Sequence, residues 1–340
     1  MTLYRVIFFY IISDNHFLLS IPMSESEETS SNLSETLFVK HKQAKETSML
    51  TRYMPSSEEL LDEKREQQNS SWYRNLRRLQ WVWQGVNPIE QEAVLARIAS
   101  SDNSRTTDEW LDTVMGYRSG NWAYEWTKLG MQHQNRSNDK SGEEVAEELF
   151  SASLCFSIAG YPHLKNDNLA AQAQVLANAA YSEAIKHTKL IVKQIDIPYQ
   201  NKKIKANLHL TKTDKPQPVV IVSAGLDSLQ TDMWRLFRDY LAPKNIAMLT
   251  VDMPSIGHSA HWPLTEDSSC LHQAVLNEPP NTPWVVHHKV GLFGFRFGGN
   301  AMVRLSFLEQ HKLKACISLG APIHDIFVHA DKLKQMPKMH

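Results

Sequence analysis

Cysteine is scarce in this chain of 340 residues: Cys155, Cys270 and Cys316 are widely spaced and form no Cys-x-x-Cys pair. That pattern excludes a disulfide framework and a thiolate zinc site and suits a reducing cytoplasm, the expected location. A charge excess of either sign is also missing. With 36 Lys+Arg against 37 Asp+Glu the formal net charge is -1, so the overall balance attracts neither nucleic acid nor an anionic membrane, and neither is expected as a partner. Long apolar runs are absent from the start of the chain, where Val6 to Ile12 gives way to Ser13 and Asp14. A bilayer span needs ~20 apolar residues, and no small-x-small cleavage site precedes Pro22 to mark a signal peptide. His258, His261, His287, His288 and His324 include no HExxH and no i, i+4 ligand pair, so no metal or other cofactor is expected. What remains is an ordinary globular composition, 42% hydrophobic and 21% charged. At roughly 150 residues per domain it predicts about two domains.

Residues 1–32 read as a disordered or misassigned extension. Met23 is the expected start, because an acidic, Ser-rich stretch follows it. From Leu33 to about residue 188 glycine is sparse and strand signals are nearly absent, while six of the nine tryptophans fall between Trp72 and Trp126. This is read as a helical domain. Trp72, Leu76, Leu79 and Trp83 share the spacing of one helix face. Glu143 to Ala159 and Leu169 to His187 predict two more helices, separated by Gly160-Tyr161-Pro162. Arg74, Arg77 and Arg78 interleave with the aromatics, as in a surface that stacks nucleic-acid bases. The stronger reading puts Trp and Leu in the core and the arginines on the solvent side.

After residue 188 the pattern changes to short β-branched runs. Ile191 to Tyr199 and Ile204 to Thr211 predict an antiparallel hairpin. Val219 to Ala224, Ile246 to Asp252, Val290 to Phe295 and Ala315 to Leu319 are continuous apolar runs, as in strands buried on both faces of a parallel sheet. Leu229 to Leu241, Thr265 to Asn277 and Gly298 to His311 are each long enough to be a crossover helix. The prediction for 189–340 is therefore a doubly wound α/β domain whose ligand sites lie beyond the carboxyl ends of the strands.

One of those ends carries Gly294-Phe295-Arg296-Phe297-Gly298. Its glycine frame is that of the nucleophile elbow, Gly-x-Ser-x-Gly, in which small neighbours let the central residue adopt a strained turn. Arginine stands where serine would. Val219 to Gly225 takes the place of the strand leading to the oxyanion loop, and Asp252-Met253-Pro254 follows the next strand in the order of an α/β-hydrolase.

From Asn32 to Lys338 the chain resembles the FrsA family, the fermentation-respiration switch proteins, which are α/β-hydrolases with an N-terminal helical domain. The resemblance is carried by Ser34–Lys42 (SETLFVKHK), Ser71–Arg78 (SWYRNLRR), Ala224–Trp234 (AGLDSLQTDMW) and Gly294–Asn300 (GFRFGGN). It implies an esterase acting on small carboxylic esters and an interaction with the unphosphorylated glucose-specific IIA component of the phosphotransferase system. It also implies, as an alternative, cofactor-independent decarboxylation of a 2-oxo acid; the arginine in place of a nucleophile leaves open a further alternative, a carboxylate-binding regulatory pseudo-hydrolase that binds that IIA component. Family members start near Met23 and continue past His340 through further strands. The sheet is accordingly expected to be incomplete, with an uncovered apolar edge at Ala315 to Leu319.

A guanidinium stays protonated and cannot attack a carbonyl, so Arg296 needs another use. A cation beside the first N–H groups of a helix favours an anion. The oxyanion-hole N–H groups of the fold map to Phe297 and Leu226. Asp227 lies in the same loop, and two readings stay open: Asp227 handles a proton or water beside an anion held by Arg296, or the two form a salt bridge in a dead pocket. Ser223 and Ser255 lack a glycine-framed turn and are expected to be structural. His324-Asp325 is not expected to form a dyad, because sequence neighbours at that spacing point apart.

Overall fold

The computed structural model describes residues 7–10, 71–165, 167–323 and 329. Met23, the rest of the N-terminal extension and His324-Asp325 lie outside them. The chain divides into two compact units. One falls within His41–Val192 and Asp227–Pro243, the other within Met1–Lys40, Lys193–Leu226 and Lys244–Met336.

The helical unit contains α1 (Arg78–Gln84), α2 (Pro88–Ala99), α3 (Trp122–Ser137), α4 (Glu143–Ala159) and α5 (Asn168–Ala184). Side chains that accept from the first N–H groups fix three of the helix starts. Asn87 caps Ile89 and Glu90 ahead of Pro88, Asn121 caps Tyr124, and Asp167 caps Leu169 and Ala170. Ala170, Ala173, Ala177, Ala180 and Ala184 form a buried small-residue stripe on α5, which lets a neighbouring helix approach closely. The core is aromatic. Trp81 packs its ring against Trp122, Trp126 and Tyr161 at centroid distances of 6.0, 5.7 and 5.7 Å.

Two expectations for this region are corrected. The face drawn through Trp72, Leu76, Leu79 and Trp83 does not exist, because helix begins only at Arg78; Trp81 is buried instead, and Leu79 is 77% exposed. The cause is Asp112, whose carboxylate accepts from the backbone N–H groups of Tyr73 and Arg74 at 2.7 and 3.0 Å and holds that segment out of a helix. Nor does Arg74 face solvent. It is 2% exposed, paired with Asp112 at 3.1 Å, donating to the Tyr161 carbonyl at 3.1 Å and lying 4.8 Å over the Trp122 ring. Arg77 is also buried, and Arg78 alone of the three makes a surface pair, with Glu92.

The segment from Asp227 to Pro243 joins this unit rather than forming the expected helix from Leu229 to Leu241. It is a string of short turns: 3-10 at Gln230–Met233, one α turn at Trp234–Leu236, and a π turn at Phe237–Leu241. Tertiary packing overrides local propensity here. Leu229 inserts among Ala152, Phe156, Ala177 and Ala180, and the Trp234 ring stacks on Phe150 at 4.0 Å. Asp232 accepts from Ser157 Oγ at 3.0 Å and from the Leu229 N–H at 2.8 Å.

The second unit is a sheet. Its strands are β1 (Ile7–Tyr10), β2 (Ile191–Tyr199), β3 (Lys202–Leu210), β4 (Gln217–Ser223), β5 (Ala247–Val251), β6 (Val285–Phe295) and β7 (Leu313–Leu319), in the order β1-β7-β6-β4-β5-β3-β2. The four strands β5, β4, β6 and β7 are mutually parallel, and β3 is antiparallel to β5. Every residue of β5 is buried, as a strand covered on both faces requires. The β2–β3 hairpin turns through Gln200 and Asn201 at φ 47° and 60°, the positive pair of a type I′ turn. Helices α6 (Cys270–Leu276) and α7 (Phe297–Leu308) are shorter than the periodicity predicts. The edge expected to lie open at β7 is paired: Ile7 to Tyr10 run antiparallel along Leu319 to Cys316. No helix among the described residues is long and apolar enough to cross a membrane.

Candidate functional site

The carboxyl ends of the parallel strands meet at one edge of the sheet. Ser223 of β4 lies opposite Val251 of β5 and Gly294 of β6, and Phe295 lies opposite Leu319 of β7. Strand order reverses at β4, which has β5 on one side and β6 on the other. Open α/β sheets bind their ligands at such a switch point.

Between β6 and α7 a single residue, Arg296, turns the chain at φ 51° and ψ -120°. Non-glycine residues rarely adopt this region, and holding one there costs of order 1–3 kcal/mol. Two contacts hold it: the Arg296 N–H donates to the Leu319 carbonyl at 2.9 Å, and the Arg296 carbonyl accepts from the Asn300 N–H at 3.1 Å. The glycine frame follows from close backbone approach. A Cβ on Gly294 would lie 2.5 Å from the Gly298 carbonyl oxygen, and one on Gly298 would lie 2.3 Å from the carbonyl oxygens of both Ser223 and Ala224. The start of α7 is thus packed directly on the end of β4, and Arg296 caps a twelve-residue helix whose N-terminus favours negative charge.

Phe297 and Leu226, the two expected oxyanion-hole positions, pack against one apolar cluster of Met253, Ile256 and Leu264. The cluster sits on the loop after β5, and Asp252 organises that loop by accepting from the His258 N–H at 2.8 Å. Gly257, at φ 53°, has no room for a Cβ beside the Asp252 carboxylate. Ser255 is structural in position: its hydroxyl accepts from the Leu264 N–H at 3.1 Å and donates to the Trp262 carbonyl at 3.4 Å.

Asp227 belongs to the helical unit. Its carboxylate meets Arg77 Nη2 at 2.5 Å, with side-chain exposures of 2% and 8%. Arg77 also donates to the Tyr161 hydroxyl at 3.1 Å, and that hydroxyl donates to the Asn75 carbonyl at 2.8 Å. Burial raises the Tyr161 hydroxyl above its ordinary range and lowers nearby His163 to about 4.

A Ser–His contact escapes sequence reasoning. His272 on α6 places Nε2 2.8 Å from Ser223 Oγ, which lies 3.3 Å from the Val251 carbonyl oxygen. Burial lowers His272 to about 4, so it is neutral. At 1% and 0% exposure neither group can meet a substrate, and the pair anchors the end of β4 to α6. The available signal was a lone histidine between Leu271 and Val275 on a helical stretch. His258 contributes its backbone, His261 packs its ring 3.7 Å from that of Trp262, and His287 and His288 are exposed on β6. Among the described residues no cluster of His, Cys, Asp or Glu could hold a metal ion.

Comparison with known proteins agrees with this geometry. A family model described as "Esterase FrsA-like" matches residues 28–340. The chain is 72% identical over 315 residues to a protein named Esterase FrsA from Vibrio parahaemolyticus, covering 93% of this chain and 76% of that one. It is 45% identical over 317 residues to one of that name from Yersinia enterocolitica, covering 91% and 76%. Among solved structures, 2,6-dihydroxy-pseudo-oxynicotine hydrolase matches with a TM-score of 0.55 at 16% identity, over 68% of this chain and 61% of that one. At that identity the likeness shows the fold alone. With a doubly wound sheet, an elbow at its switch point and this match across nearly its whole length, the chain belongs to the FrsA-like esterase family and has the α/β-hydrolase fold.

Proposed function

We propose that the protein acts on small carboxylic esters through an anion-binding elbow rather than a serine triad. The observation that carries this reading is Arg296 at the strained turn heading α7, where the fold ordinarily projects its nucleophile. A guanidinium there offers a fixed charge to an acyl or carboxylate oxygen, and the N–H groups of Phe297 and Leu226 are the natural additional donors. Asp227 is the accompanying proton-handling candidate. Its pairing with Arg77 makes Asp227→Asn the test of whether it takes part in turnover or only closes that ion pair. The deciding experiment is turnover of p-nitrophenyl acetate and of a 2-oxo acid by wild type, Arg296→Ala and Asp227→Asn. Removing a charge-assisted contact is expected to lower kcat/KM about ten- to a hundred-fold. Activity unchanged in both variants rejects the site.

The same residue favours a second reading, because a cation at the elbow leaves no nucleophile there. In it the protein is a carboxylate-binding regulator that engages the unphosphorylated glucose-specific IIA component in the cytoplasm and links to the balance of fermentation and respiration. A pulldown at matched salt tests it. Loss of binding on phosphorylating the partner supports the reading, and equal retention of both forms rejects it.

A further inference from the structure

Asparagine is a poor helix former, because its side chain competes for nearby backbone groups, yet Asn300 stands in the first turn of α7. Its side chain is engaged elsewhere and joins two distant loops. Oδ1 accepts from Ser268 Oγ at 2.9 Å, just ahead of α6, and Nδ2 donates to the Pro322 carbonyl at 2.8 Å, just after β7. The partners fix the direction of both bonds: a backbone carbonyl only accepts, so the amide nitrogen faces Pro322 and the oxygen is left to the serine. The backbone N–H of the same residue donates to the Arg296 carbonyl at 3.1 Å.

Pro322 lies just beyond Leu319, whose carbonyl receives the Arg296 N–H at 2.9 Å. Between them the chain turns at Gly320, φ 64°. It packs on α7 so closely that a Cβ on Gly299 would lie 2.7 Å from Ser318 Oγ and 2.8 Å from Ala321 Cβ. The strained turn at Arg296 is thus held from both sides through one residue. Asn300 donates to the Arg296 carbonyl directly, and its side chain ties down the segment whose Leu319 carbonyl accepts from the Arg296 N–H. A misplacement of about 1 Å in a group that acts on a substrate can cost ~100-fold in rate. We infer that Asn300 is a positioning residue for Arg296, its side-chain amide locking the turn after β7 against the elbow; this rests on the reading that Arg296 holds the acyl or carboxylate oxygen.

Three variants of the whole chain test it. Asn300→Ala keeps the backbone bond to Arg296 and removes only the side-chain ties. Asn300→Asp keeps an acceptor for Ser268 but sets a carboxylate against the Pro322 carbonyl, and Ser268→Ala leaves the bond to Pro322 in place. Hydrogen exchange at the Arg296 amide, resolved by NMR, needs no substrate. It should quicken about tenfold in both Asn300 variants and less than about twofold in Ser268→Ala, with the Phe293 amide of β6 unchanged. In turnover of p-nitrophenyl acetate, kcat should fall about tenfold in both Asn300 variants with KM within about twofold, the split expected when only transition-state contacts are lost. Alanine regains helix propensity, so the melting temperature of Asn300→Ala should stay within about 3 °C of wild type. The inference is overturned by unchanged exchange at Arg296, by quickening that Phe293 shares equally, or by Ser268→Ala matching the Asn300 variants. It is equally overturned if kcat holds in both Asn300 variants while Arg296→Ala is impaired. Turnover retained by Arg296→Ala rejects the anion-binding elbow itself and leaves exchange at Arg296 to decide whether Asn300 positions the turn.

Discussion

Gly298 sits so close to the Ser223 carbonyl that a Cβ on it would lie 2.3 Å from that oxygen. No side chain can move aside to make room, because the atoms in the way are backbone. Gly298→Ala is therefore expected to push α7 away from β4 and to destabilise the fold by at least ~1–3 kcal/mol, the range for overpacking. Urea unfolding measures the loss, and a midpoint equal to wild type would contradict the packing described.

Arg296 offers a second test, through its backbone. Arg296→Ala and Arg296→Gly both remove the guanidinium, but only glycine tolerates φ 51° and ψ -120° without penalty. The glycine variant should be the more stable of the two by about 1 kcal/mol or more, while the two lose turnover alike. Equal stability would mean that the turn is not strained.

In the helical unit, Asp112→Ala would leave the buried Arg74 guanidinium without its counter-charge and free the N–H groups of Tyr73 and Arg74. Removing one partner of a buried ion pair typically destabilises by ~3–5 kcal/mol. Thermal unfolding should show a large drop, and Glu92→Ala, which breaks the exposed pair with Arg78, should show about 1 kcal/mol or less.

Stability should also fall on mild acidification. His209 and His272 are fully buried, and desolvation lowers each from 6.5 to about 4. Between those values the unfolded chain binds the protons and the native one does not, so stability rises with pH across the window. Each histidine contributes about 3 kcal/mol that is fully present above pH 6.5 and lost as pH falls through about 4. Denaturant midpoints at pH 7 and pH 4.5 check this, and a flat profile across that interval would contradict it.

Continuous apolar runs and glycine spacing made the parallel strands and the turn at Arg296 legible in the sequence, because burial on both faces and close backbone approach leave direct marks on residue choice. The path of Asp227 to Pro243 was not legible. Its periodicity suits a crossover helix, and only distant contacts, Leu229 among alanines of α5 and Trp234 on Phe150, assign it to the helical unit. The burial of Arg74 was hidden for the same reason, since Asp112 lies 38 residues away. His272 could be placed on a helix, but its contact with Ser223 spans 49 residues and no local pattern announces it.

The membership of Asp227–Pro243 in the helical unit also sets an order of events during synthesis. Helices α4 and α5 leave the ribosome first, yet Leu229 and Trp234, which cover Phe156 and Phe150, follow only after β2, β3 and β4 have been made. At ~5–20 residues per second the nascent helices wait several seconds without those two covering side chains. The helical unit is thus completed by a piece of chain made only after β2, β3 and β4 of the sheet unit, and it cannot be finished on the ribosome before most of that sheet's sequence has been started.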